Sequence, residues 1–139
     1  MIIVAHKLLK NTKINGITLF PFILLRKKED RNNEVLVNHE KIHLRQQFEL
    51  LIIFFYIWYV VEYYYWYFKL KNSFLAYKYI SFEREAYAKE DDLNYLQTRK
   101  LWSFTKYFKV KLKRSLHFDN CIIMSLKAIK IFCNLFKTP

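Results

Sequence analysis

The stretch from Glu34 to Leu50, EVLVNHEKIHLRQQFEL, decides how this chain is read, and within it the five residues from His39 to His43, HEKIH, decide most. Neither glycine nor proline occurs between Glu34 and Arg99. The residue types there favour helix, so a helix is expected over about 34–52. On it His39 and His43, four apart, project from one face about one turn from each other. Glu40 stands beside that pair, and Gln46, seven residues from His39, falls nearly in line with it.

Two imidazole nitrogens at this spacing suit a tetrahedral zinc ion. A carboxylate beside the first of them, Glu40, is placed to take a proton from a water on the metal and hand it to a leaving amine. A second acidic segment, FEREAY, follows at Phe82 to Tyr87. HExxHxxQ followed by a helical E-x-E-A resembles the gluzincin metallopeptidases, and FEREAY is similar to small, uncharacterised bacterial members of that group. The resemblance implies zinc held by His39, His43 and Glu83, with Glu40 as catalytic base. Tyr87 or a glutamine would donate to the developing oxyanion. It covers residues 15–107 and implies a zincin-like metallopeptidase domain over 1–107, with 108–139 as a basic, amphipathic tail.

Many gluzincins carry an Asp after the Ala that supports a ligand histidine, whereas this chain has Tyr87, so what orients the histidines stays open. Glu83 and Glu85 lie about 200° apart around a helix, so only one of them can reach the metal. Ala86, one turn from Glu83, would let two helices approach closely, which favours Glu83 and leaves Glu85 to face elsewhere, toward Lys89.

Residues 50–68, LLIIFFYIWYVVEYYYWYF, are apolar or aromatic except Glu62. As helix they would span ~30 Å, enough to cross a bilayer. A metal shared by His43 and Glu83 forbids a simple crossing, because the two residues flank this segment and would lie on opposite sides. A straight hairpin turning near Asn72 would still leave ~25 Å along the axis between Glu83 and His43. The path must therefore bend, near Ile53 and Phe54. The expectation is an aromatic helix over about 54–69 that lies in a membrane interface or packs as core, with lysines contacting anionic lipid. Glu62 is expected to face water, the alternatives being a partner of the site or a functional intramembrane acid. The KLKNS segment, Lys69 to Ser73, reads as a turn, with Ser73 capping a third helix over about 74–98.

Toward the N-terminus, Ile14-Asn15-Gly16-Ile17 carries the favoured pair of a type I′ turn. Residues 17–25 read as one apolar strand, with Pro21 marking an edge or a bend, and 26–33 as a polar loop. The expected fold is mainly α: a zincin-like minimal domain with a short N-terminal β-hairpin or edge strand, an HExxH helix, an aromatic helix and a Glu-bearing helix. The edge strand would offer its backbone to an extended peptide.

Composition narrows the function. One glycine and two prolines in 139 residues exclude glycine-rich phosphate cradles, dinucleotide fingerprints and nucleophile elbows. The net charge of +12 is scattered from Lys7 to Lys137, which speaks against nucleic acid and for a solvated basic surface or anionic lipid. Cys121 and Cys133 read as free thiols. The start, MIIVAHKLLKNTK, lacks the features of a cleaved secretory leader. An apolar helix over 121–136, carrying Lys127 and Lys130, would add a second membrane contact or pack in a dimer or core. The function expected is a zinc-dependent endopeptidase at a bacterial membrane, acting on a peptide or protein. The alternative is a non-catalytic membrane-associated protein with a structural or vestigial metal site.

Overall fold

The computed structural model describes residues 1–12 and 14–108; the expectations for Cys121, Cys133 and the helix over 121–136 lie outside the described residues. The chain is mainly helical with a small sheet near its N-terminus. In order it forms β1 (Ile2–Val4), α1 (His6–Leu9), β2 (Gly16–Leu19), β3 (Phe22–Leu25), α2 (Glu34–Glu49), α3 (Ile53–Leu70), α4 (Ser73–Tyr79), α5 (Ser81–Lys89) and α6 (Tyr95–Thr98). Short 3₁₀ turns occupy Glu29–Asn32 and Ser103–Tyr107.

The sheet runs β1-β3-β2, with β1 parallel and β2 antiparallel to the central β3. The single strand expected over 17–25 is thus two strands that turn at a cis Phe20-Pro21 bond. Pro21, which has no N–H for a ladder, sits in the turn itself. Asn15-Gly16 is not a type I′ pair, since Gly16 has no positive φ and opens β2. The glycine is needed for a different reason: a Cβ there would stand 2.7 Å from Glu40 Oε1. The only glycine in the chain marks the point where β2 crosses the HEKIH carboxylate.

Asn33 caps α2, its Oδ1 accepting from Leu36 N at 3.0 Å. The helix stops at Glu49, three residues short of the expected end, in a Schellman closure. Ile52 N donates to Gln47 O at 2.7 Å and Leu51 N to Phe48 O at 3.2 Å. Leu51 (φ 51°) takes the left-handed position that glycine usually fills. Ile52 follows at φ 61°, ψ −62°, with Ile53 N donating back to Leu51 O at 2.6 Å. This is a positive-φ γ-turn, a strained conformation for a β-branched residue. The two residues turn the chain by 112° between α2 and α3, so the bend expected near Ile53 and Phe54 falls at 50–52. Burial holds it in place: Leu50 and Phe55, on either side, enter one core with Tyr63, Trp66, Ile80 and Phe82.

The helix expected over 74–98 is instead three. Asn72, rather than Ser73, caps α4 by accepting from Leu75 N at 2.9 Å. The chain then breaks at the buried Ile80 (ψ 131°). There the Glu62 carboxylate accepts from Ser81 N at 3.0 Å and from Ser81 Oγ at 2.7 Å. Glu62 therefore does not simply face water. It satisfies a first-turn N–H of α5 and places negative charge at that helix's start. No single helix among the described residues is long and apolar enough to cross a membrane; only α2 and α3 taken together, as a bent pair, meet that test.

Candidate metal centre

The bend and the break at Ile80 bring α5 against α2, with Ala86 of α5 fully buried. His39, His43 and Glu83, all buried, converge with ligand atoms within 4.8 Å of one another and can hold a metal ion. The two Nε2 atoms are 3.1 Å apart. Glu83 Oε1 is 3.4 Å from His43 Nε2, and Oε2 is 3.7 Å from His39 Nε2.

The other ring nitrogens decide what this geometry means. His39 Nδ1 lies 2.7 Å from Glu90 Oε2, and an ionised carboxylate only accepts, so Nδ1 carries the proton. His43 Nδ1 lies 2.8 Å from Gln46 Oε1. The Gln46 amide is oriented by its own donations to Phe82 O at 3.2 Å and Glu85 Oε2 at 2.9 Å, so this Nδ1 is a donor as well. With Nδ1 thus committed in both rings, Nε2 is the nitrogen each would offer to a metal ion, and the two face each other. Nitrogens bound at about 2.05 Å to one tetrahedral ion stand about 3.3 Å apart, close to the spacing found. Glu83 Oε2, buried, has no hydrogen-bond partner, while Oε1 accepts from Tyr59 OH at 2.8 Å. A buried carboxylate oxygen without a hydrogen-bond partner beside two imidazole Nε2 atoms is a donor set that could hold a cation.

Without a metal the electrostatics favour a proton on His43, which a bound ion would displace. Burial raises the Glu83 carboxyl, but the neighbouring His43 and His39 outweigh it and hold the group well below its usual range. Burial lowers the His43 imidazole, yet the Glu83 charge and hydrogen bond, helped by Glu40, bring it up to about 9 in the absence of metal. Glu40 is raised by burial, against opposing pulls from His43, His39 and the Thr18 hydroxyl. Thr18 Oγ1 sits 2.6 Å from Glu40 Oε2. Tyr87 packs edge-on against His39, ring centroids 4.7 Å apart, and its hydroxyl is 3.2 Å from that of Tyr77. Burial and then Glu83 push the Tyr87 phenol up to about 12, so it stays a donor at neutral pH.

Glu85 lies on the far side of α5, fully buried. It does not pair with Lys89. Arg99 Nε reaches its Oε1 at 2.7 Å, Tyr95 OH donates to the same oxygen at 2.7 Å, and Arg99 also binds Glu49. Through Gln46 this ion cluster braces His43. The support that Tyr87 cannot give to His39 comes from Glu90, which the sequence presents as part of a charged KEDD run. Its signal was spacing, because Glu90 stands seven residues from Glu83 and so shares its face. Asn38 secures that segment by donating to Glu90 O at 2.9 Å and Asp92 O at 3.0 Å. Tyr59, the third residue missed, gave no sign among eleven tyrosines.

His39, Glu40, His43, Tyr59, Glu83, Tyr87 and Glu90 line a cavity of about 440 Å³ between β2 and α3. The ladder with β3 leaves the backbone groups of Gly16 and Thr18 turned outward. Gln47 occupies part of this edge, accepting from Phe20 N and donating to Thr18 O, both at 2.9 Å. Residues 14–19 border the cavity, and Gln47 leaves Gly16 and the Thr18 N–H as the open part of this edge, narrower than the edge expected over 17–25. Comparison with protein-family models, with curated proteins and with solved structures finds no match for this chain.

Proposed function

We propose that this protein is a zinc-dependent metallopeptidase of gluzincin type, with His39, His43 and Glu83 as ligands and Glu40 as general base. The observation that carries the proposal is the pair of Nε2 atoms at 3.1 Å whose Nδ1 protons are both committed elsewhere. Two nitrogens and one carboxylate, opening on a cavity, make the donor set of a catalytic zinc site with its fourth position free. Zinc, when bound, would polarise a carbonyl and lower the pKa of a water there. Glu40, held by Thr18 and raised by burial, accepts the proton from the attacking water and delivers it to the departing amine. Gly16 to Thr18 pair with the backbone of an extended peptide. Tyr87, kept protonated, donates to the oxygen on which charge develops.

Metal analysis of the purified protein beside H39A and E83A tests the site: one equivalent of zinc is expected, lost in both variants. E40Q should keep the metal and lose peptide cleavage. Zinc content unaffected by H39A and E83A would end the proposal; a full zinc complement with no peptide cut would reduce the centre to a structural one.

A further inference from the structure

The inner face of α3 buries Phe55, Tyr63 and Trp66, and its outer face buries nothing. Ile53, Phe54, Ile57, Val61 and Phe68 are each more than half exposed. Their spacing of three, four and seven residues makes one stripe along a helix ~27 Å long. Phe48 and Leu51 (60 % and 72 % exposed) add exposed apolar surface at the joint that leads into it. A patch of this extent differs from apolar residues scattered singly over a surface. The stripe carries no acid, because Glu62, the one carboxylate of α3, is turned to Ser81.

Two features say what covers the stripe. Its fringe is amphipathic: Trp58, Tyr64 and Tyr65 are about half exposed, and Lys69 and Lys71 stand 5.1 Å and 5.5 Å over the rings of Trp66 and Phe68 at one end. Aromatic tips with lysines beside an apolar band fit the headgroup region of a bilayer. A net charge of +12 repels a second copy of the chain and attracts an anionic surface. The inner face is tied to the rest of the domain, so only one side of the helix can enter lipid, in the plane of the surface. Val60 and Tyr64 also line the metal cavity, and Tyr64, three residues after Val61 and four before Phe68, lies on the stripe's own face, so the cavity opens beside the stripe.

We propose that the outer face of α3, with Phe48 and Leu51, docks in the plane of an anionic lipid bilayer and holds the metal cavity at headgroup level, where it acts on peptide segments lying along that surface. The docking stands on the surface alone; the substrate class rests on the peptidase reading.

Full-length protein is mixed with vesicles of phosphatidylcholine and phosphatidylglycerol, 3:1, or of phosphatidylcholine alone, and bound protein is measured by flotation. Preferential binding to the anionic vesicles is expected, weakened at least tenfold in F54D and V61D while zinc content stays that of the parent. No binding, or binding equal in the variants, overturns the docking. Self-association in solution abolished by the same substitutions, without vesicle binding, assigns the face to a second copy and likewise overturns it. Cleavage is then compared for one peptide free in solution and acylated on the anionic vesicles, with E40Q as control. At least tenfold faster cleavage of the anchored form, lost in V61D, supports the substrate class. Equal rates overturn that class and leave the peptidase reading intact. Vesicle binding by zinc-loaded protein that cuts neither form refutes the peptidase reading and the substrate class with it, and leaves the docking established.

Discussion

Helices α2 and α3 adjoin in sequence and reverse the usual rule for what goes inside. Along α2 the buried side chains include Asn38, His39, Glu40, His43, Gln46 and Gln47, all at 7 % exposure or less. Along α3 phenylalanine, isoleucine and valine face outward. The difference shows that burial follows partnership rather than hydropathy. Each polar group of α2 meets a partner from another element: Glu90 for His39, Thr18 for Glu40, Glu85 for Gln46. A buried polar group so satisfied costs little, and one deprived of its partner costs a great deal.

The partnership should therefore break hardest where charge is deepest. The Arg99 side chain is 1 % exposed and bridges the side chains of Glu85 and Glu49, at 0 % and 2 %. R99M leaves the buried Glu85 carboxylate without a cation and Glu49 with only the half-exposed Arg45, 3.5 Å away, and should lower unfolding free energy by about 3–5 kcal/mol. Urea denaturation at unchanged m-value measures it. A loss below about 1 kcal/mol would mean that the polar interior of α2 does not depend on its ion cluster.

The metal-free centre should respond to pH with a definite sign. His43 is raised from 6.5 to about 9, so its contribution to stability is complete below pH 6.5 and is lost as pH rises through about 9. The melting temperature of chelator-treated protein should fall across that window, and that of the zinc-loaded protein should not. A flat profile for the metal-free protein would show that Glu83 does not hold a proton on His43.

A smaller effect is expected at the edge of the centre. Replacing the Glu90 carboxylate by an amide, E90Q, removes the charge that orients His39 and should weaken zinc binding by about 10–100-fold, as loss of an outer partner of a metal histidine generally does. Competition with a chromogenic chelator reads this directly. Affinity equal to that of the parent would leave the ring held by Tyr87 and α2 packing alone.

How much of this was legible in advance differs between the same two helices. The facing His39–His43 pair, the start of α2 and the limits of α3 follow from local spacing, Glu83 beside them was implied by the resemblance to gluzincins, and the need for a bend follows because one ion cannot be shared across a straight path. The partners that make the α2 interior tolerable come from elsewhere in the chain, and no local pattern announces them. Glu62 looked like an exposed acid because nothing in residues 50–68 reveals that Ser81 will stand opposite it. The helix expected over 74–98 failed for the same reason, its break at Ile80 being fixed by tertiary contacts in a segment whose own residue types favour continuity. Gly16 was seen as a turn residue when its use is to let a strand pass close to Glu40.

The joint between the two helices offers the finest adjustment. Leu51 holds φ 51° and is 72 % exposed, so its side chain contributes little packing and its backbone bears a steric penalty of roughly 1–2 kcal/mol. L51G removes that penalty but gives the unfolded chain more freedom, which costs back about 0.5–1 kcal/mol. The balance is a gain of about 0.5 kcal/mol, with zinc content unchanged. L51V, which sets a β-branched residue in the same left-handed position, should instead lose about 1 kcal/mol. The two substitutions moving stability in opposite directions would place the strain at the joint. If both destabilise alike, the side chain of Leu51 rather than its backbone matters, and the contrast between a buried polar helix and an exposed apolar one would not depend on how sharply the chain turns between them.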